Sequence, residues 1–282
     1  YTIVGQMGYS WQVALGAVFL EGIIFLLLSL TKVREAIFNC IPPAIKFGVS
    51  GGIGLFIAFI GMQSSKLVID GPTLVTIYPF KAALASGEFW STGIGAVLAV
   101  FGVLITAIFL TKRVPGAILW GILATWFAGI ACELTGIYIP NPQLGMFSVL
   151  PDFSKGISIP SLAPTFMQLD FSSICSLGFV TILVSIMFVD LFNTIGTLIG
   201  VAAKANMLDS SGKLPKIEKA FMADSIATSV GALLGTTTVT TYVESSAGIA
   251  VGGRTGLTAV VSALLFLVSL FLAPIFSFYS TF

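Results

Sequence analysis

The chain alternates long apolar runs with short polar ones. A membrane-spanning helix needs about 20 mostly apolar residues. Trp11 to Leu30, Phe47 to Gly61, Ser91 to Leu110, Gly116 to Ala131, Ser176 to Ala203 and Leu257 to Phe276 meet that pattern and predict six spans. A further apolar stretch, Ser225 to Gly235, is too short to span and runs into TTTVTTYVESS, residues 236–246. β-branched and aromatic residues at that density favour extended backbone over helix. At membrane depth such backbone is tolerated only where it is buried in protein or lines a cavity. The pattern therefore predicts a broken helix beside a cavity. A second half-helix would begin near Ser245, with the Ser246 and Ala247 N–H groups facing the site beside Glu244.

Composition supports a lipid setting. The chain is 56% apolar and 9% charged, with a mean hydropathy of +1.05, against about 25% charged residues in a soluble domain. Thirty glycines suit helices that pack closely in a bilayer. The net charge of +1 is spread over short separated loops, which excludes a nucleic-acid-binding stripe. There is no histidine, so a proton-handling group inside the membrane must be a carboxylate, a Lys or a Tyr. Cys40, Cys132 and Cys175 are far apart and read as small hydrophobes rather than metal ligands. No cofactor is expected, and without a metal set or a GxSxG elbow no enzyme chemistry either.

Lys and Arg favour the cytoplasmic side. Lys32, Arg34 and Lys46, then Lys112 and Arg113, then Lys204, Lys213, Lys216 and Lys219, then Arg254 share one side if Ser225 to Gly253 forms a hairpin. The opposite loops carry Lys66, Asp70, Lys81 and Glu88 in one, and Glu133, Asp152, Lys155 and Asp170 in the other. Pro140, Pro142, Pro151, Pro160 and Pro164 make the second a turn-rich cap. Tyr1 at the start, and the uncharged Thr255 to Phe282 at the end, read as cuts in a longer chain.

A charge at the bilayer centre costs about 2.5–3.5 kcal/mol on insertion scales, which makes an intramembrane carboxylate a functional candidate. Glu244 is the first such candidate; the blander alternative makes it a loop residue outside the lipid. Asp190, Asn193, Thr194 and Thr197 stand at i, i+3, i+4 and i+7 on one helical face and form a second polar set. Their alternative role is polar glue, with the threonines bonding back to their own helix. Gly196 and Gly200 would let that helix approach a neighbour closely. Glu21 lies mid-span without a polar companion on its face and reads equally well as a partner for a backbone group. Asp224 reads as a cap at the start of the short helix. Gly231/Gly235 and Gly248/Gly252/Gly256 read as packing positions.

Three segments, in order and spacing, resemble one family: FVDLFNTIGTLIGVA (188–202), AFMADSIATSVGALLG (220–235) and TTYVESSAGIAVGGRTGLTAV (240–260). They are similar to the AzgA-like adenine, guanine and hypoxanthine permeases, nucleobase:cation symporters related to the xanthine and uracil permeases. WQVALGAVFLEG (11–22) and AIKFGVSGGIGLFIAFIG (44–61) extend the likeness over the chain.

The resemblance implies an all-α polytopic fold of two inverted seven-helix repeats, with core and gate domains, a broken helix and a short midplane strand. On that model residues 1–134 end the first repeat, 135–174 form an external Pro-rich loop and 175–282 begin the second repeat. The implied function is import of a purine by proton symport and alternating access, from a multi-pass position in the cell membrane. Glu244, Asn193, Thr197, Ser245, Ser246, Tyr242 and Thr241 would bind substrate, and Glu244 and Asp190 would handle the proton. Asn193 stands where the family usually has the Asp of an FDT motif, which keeps a hydrogen-bonding amide and loses a titratable group. The partners are a purine, a proton and lipid, with a homodimer left open. The rivals are an anion carrier on the same general fold and a non-transporting receptor.

Overall fold

A computed structural model describes residues 2–151, 161–172, 176–209 and 213–272. Asp152, Lys155, Pro160, Cys175 and the end of the sixth expected span, 273–276, lie outside the described residues. A short π-helical turn, Thr2–Gln6, leads into α1 (Trp11–Leu30), α2 (Val33–Cys40) and α3 (Pro43–Ser64). The antiparallel hairpin β1 (Val68–Gly71) and β2 (Leu74–Ile77) follows, pairing Val68 with Ile77 and Gly71 with Leu74. Then come α4 (Phe80–Ser86), α5 (Thr92–Thr111), α6 (Ala117–Leu134), α7 (Leu177–Ala205), α8 (Ile217–Leu234), α9 (Ser245–Ala250) and α10 (Gly256–Phe271).

The chain is mostly helical, as expected of a polytopic membrane protein. Among the described residues five helices are long and apolar enough to cross a bilayer: Trp11–Leu30, Ala44–Ser64, Thr92–Thr111, Ala117–Leu134 and Leu177–Ala205. The sixth expected span corresponds to α10, whose 16 residues fall short of that length.

Residues 1–54 and 161–254 form one compact unit. In it α1 packs along α8, and also against α7 and α2, while α9 packs on α7. Ser10 caps α1 by accepting from the Val13 N–H at 3.3 Å, and Ser176 caps α7 by accepting from the Phe179 N–H at 3.1 Å. Two apolar clusters hold the bundle: Phe38, Ile195, Ile199, Ile217 and Phe221, and Val13, Ala17, Phe179 and Ile182. The expected close approach at Gly196 is present. A Cβ there would stand 2.6 Å from Ile53 Cδ1 and 2.8 Å from Val49 Cγ1, both on α3. By contrast Gly248, Gly252 and Gly256 have no neighbour among the described residues that a side chain would meet, so the packing expected of them is not seen there.

Helix α8 is two turns longer than its apolar run. Ile217, Phe221, Asp224, Ser225, Thr228, Gly231 and Ala232 form one buried stripe at three- and four-residue spacing. The polar members of that stripe hide the helix from a hydropathy reading. Asp224 consequently sits mid-helix and does not cap an N-terminus. The helix stops at Gly235, whose φ of +92° is left-handed backbone that glycine adopts without strain.

Residues 55–160 and 255–282 form the second unit. There α5 packs on α6 through reciprocal Gly–Thr contacts. A Cβ on Gly102 would stand 2.5 Å from Thr125 Oγ1, and one on Gly121 would overlap Thr106. Each threonine hydroxyl is satisfied within its own helix, Thr106 donating to Gly102 O at 2.7 Å and Thr125 to Gly121 O at 2.8 Å. The Tyr78 and Thr92 hydroxyls are hydrogen-bonded to each other. Glu133, expected in a loop, belongs to α6. Its carboxylate accepts from Ser148 Oγ at 2.6 Å and from the Val149 N–H at 2.8 Å, pinning the segment after α6.

Candidate functional site

The stretch from Thr236 to Tyr242 is neither helix nor strand and joins no strand ladder among the described residues. Side chains fasten it inside the first unit instead. Thr228 Oγ1 on α8 donates to Val239 O at 2.9 Å, Thr240 and Thr194 share a hydroxyl hydrogen bond of 2.9 Å, and Thr238 Oγ1 donates to Glu21 Oε2 at 3.0 Å. The β-branched run thus serves as a strip of hydroxyls rather than as a sheet strand.

Beside this strip lies a cavity of about 440 Å³, lined by Ile3, Met7, Ile182, Ile186 and Val189 on its apolar side. Its polar wall includes Asp190, Asn193, Thr238 and Thr240. Pockets of roughly 300–1,000 Å³ with apolar walls and a few placed polar groups are the usual form of small-molecule sites. The i, i+3 spacing on α7 aims the Asp190 carboxylate and the Asn193 amide at the same space.

Behind the wall is a buried charge cluster. Arg34, on α2, is fully buried. Its Nη2 donates to Asp224 Oδ2 at 2.8 Å and stands 3.7 Å from Asp190 Oδ2, and its Nη1 donates to Ser225 Oγ at 3.1 Å and Phe221 O at 3.3 Å. The guanidinium carbon lies 4.2 Å from the Phe25 ring centroid and 4.5 Å from that of Phe221, a geometry suited to its flat, weakly hydrated cation. Arg34 is therefore not a solvated loop charge. Lys46 is likewise buried, with Nζ 3.9 Å from the Phe38 ring centroid. Glu21 does have a polar companion, Thr238, supplied by the threonine strip 217 residues later in sequence.

The other expected site residues lie elsewhere. Thr197 is buried and its hydroxyl donates to Asn193 O at 2.8 Å and Thr194 O at 3.2 Å. Helix α9 begins at Ser245, as expected, and Glu244 stands at its head with an exposed side chain and no capping hydrogen bond. The Ser246 N–H donates to Val243 O at 2.9 Å and the Ala247 N–H to Glu244 O at 3.0 Å. Both amides are therefore engaged by the turn rather than offered to a ligand. Tyr242 and Ser245 are exposed and Thr241 is partly buried; none of the three lines the cavity.

The Permease family model, that of the xanthine/uracil permeases, matches residues 1–281. The chain belongs to this family. A protein of Methanocaldococcus jannaschii provisionally named a permease is 48% identical over 267 residues, 94% of this chain and 56% of its own length. The guanine/hypoxanthine permease PbuG of Bacillus subtilis is 41% identical, over 95% of this chain and 56% of its own length. The adenine permease AdeQ of Escherichia coli is 35% identical, over 98% and 56%. The chain spans about half the length of these curated relatives. As a member of this family with several helices able to span, it is a multi-pass membrane protein, and the relatives just named are permeases rather than enzymes.

Proposed function

We propose that the protein imports purine nucleobases, hypoxanthine, guanine or adenine, by proton symport and alternating access, on a fold of two inverted seven-helix repeats. The observation that carries this reading is the cavity whose polar wall pairs Asn193 with Asp190 beside the hydroxyls of Thr238 and Thr240. An amide both donates and accepts, which matches the mixed donor and acceptor edge of a purine, and the apolar side suits the flat ring. The names of the relatives, guanine/hypoxanthine and adenine permeases, point to the same substrate class.

In this reading Asn193 and Asp190 contact the base from α7. Glu244, whose carboxylate makes no hydrogen bond among the described residues, accepts from a ring N–H. Thr241, Tyr242, Ser245 and Ser246 surround it, and Thr197 holds the α7 turn behind Asn193. Glu244 and Asp190 are the carboxylates through which the proton is exchanged. The unit containing the cavity corresponds to a core, and the unit containing the α5–α6 pair to part of a gate. The repeat boundaries proposed are residues 1–134 and 175–282, joined by 135–174.

Uptake of labelled hypoxanthine, guanine and adenine by the full-length protein, with and without an uncoupler, tests this. Saturable uptake of at least one purine that collapses with the uncoupler is expected. Uptake competed by inorganic anions and unaffected by purines contradicts it.

A further inference from the structure

Charge is unequally matched around Arg34. This one guanidinium is bonded to Asp224, and Asp190 stands at the longer 3.7 Å. Glu21 makes no ion pair among the described residues, although Asp190 on α7, Arg34 on α2 and Asp224 on α8 all lie within its electrostatic reach. The threonine strip adds only hydroxyls. Glu21 is completely buried, and while Oε2 accepts from Thr238, Oε1 has no hydrogen-bond partner among the described residues. Removing an ionised carboxylate from water without a counter-charge costs several kcal/mol even after relaxation. Such a group takes up a neutralising cation. A proton on Oε1 needs no further ligands.

Thr238 joins this group to the cavity, since it lines the cavity and donates to Glu21. A base seated against Thr238 competes for its hydroxyl and changes the hydrogen bonding of the buried carboxylate. We propose that the proton exchanged through Glu244 and Asp190 rests on Glu21 while each purine is carried, and that Thr238 couples cavity occupancy to it. The proposal rests on the reading of the cavity as a purine site. Glu21 binds one proton at Oε1 from the side to which the cavity opens and releases the same proton to the other side when it ionises again. No other bond changes.

The test uses the full-length protein in liposomes with labelled hypoxanthine. Counterflow needs no net proton movement, whereas accumulation driven by a pH gradient does. Glu21→Gln is expected to keep counterflow within about twofold of wild type while gradient-driven accumulation falls about tenfold or more, the loss expected when a required charged partner is removed. Glu21→Asp keeps an ionisable group and is expected to retain accumulation with its pH profile displaced by about half a unit or more. The Asp variant decides the question if the Gln variant does not reach the membrane, and an unchanged pH profile there overturns the proposal. Gradient-driven accumulation by Glu21→Gln at the wild-type level, or accumulation by wild type driven by sodium instead of protons, overturns it while leaving the purine site intact. Absence of purine counterflow in wild type removes the purine reading and this inference together.

Discussion

The two compact units bury different things. Among the described residues the first encloses Glu21, Arg34, Lys46, Asp190 and Asp224, with Ser29, Thr194, Thr197, Ser225 and Thr228 around them. Among the described residues the second buries no charged side chain, and its buried polar groups are Ser91, Thr92 and the hydroxyls of Tyr78 and Tyr138. Its α5–α6 contact is made by glycines and by threonines that satisfy themselves within their own helices. Both are ways of packing helices where burial of apolar surface from water gives no drive between them. The Gly–Thr interface holds shape without charge. The Arg34 cluster sets several buried ionisable groups against a cavity, a costly arrangement that persists in membrane proteins chiefly where ions or substrates move. The contrast is what the proposed division, a substrate-handling first unit and a mechanical second one, rests on.

The sharpest way to break that contrast is to remove Arg34. Arg34→Met leaves Asp224 and Asp190 buried without their cation, and losing one partner of a buried pair costs about 3–5 kcal/mol. A large fall in the thermal stability of the detergent-solubilised full-length protein is expected. The double variant Arg34→Met, Asp224→Leu is expected to recover most of it, because no unpaired charge from that pair remains. If the single variant is as stable as wild type, the cluster is not what holds α2, α7 and α8 together.

A smaller effect is expected at the Gly–Thr interface. Gly121→Val forces a side chain onto Thr106, and overpacking of this kind costs about 1–3 kcal/mol. Reduced stability with an unchanged KM for purine counterflow is expected, because the proposed site lies in the first unit. A changed KM would show that the second unit shapes the site. The mildest change is Thr240→Val, which removes a hydroxyl shared with Thr194 and is worth about 0.5–1.5 kcal/mol. A fall in stability of that size, and a rise in the KM for hypoxanthine of less than about tenfold, are expected.

How much was legible in the sequence follows the same division. Apolar length located α1, α3, α5, α6 and α7, and helical spacing put Asp190 and Asn193 on one face, where the cavity wall now has them. The break after α8 and the start of α9 at Ser245 were readable from the β-branched run and the composition that follows it. The Arg34–Asp224 pair was not, because its members lie 190 residues apart and each, taken alone, resembles a loop charge or a cap. Glu21 lacked a visible partner for the same reason, as Thr238 comes from a segment at the other end of the sequence. The short helix α2 escaped because Arg34 and Glu35 look solvated until α8 is folded against them. The hairpin β1–β2 escaped because each strand is only four residues long and lies in a connection between spans. Glu244 was picked out by its setting in the break, yet its side chain is exposed while the strip's threonines form the wall, a difference that only the turn at residues 243–247 determines.

The central claim is that the cavity beside α7 and the threonine strip is where the purine binds. The most direct test is hypoxanthine counterflow by the full-length protein carrying Asn193→Ala. Loss of one amide contact to a bound base, worth about 1–3 kcal/mol when a buried partner is left unsatisfied, predicts a KM raised about tenfold or more, with the protein folded and in the membrane. A KM unchanged from wild type would contradict the claim and place the purine elsewhere.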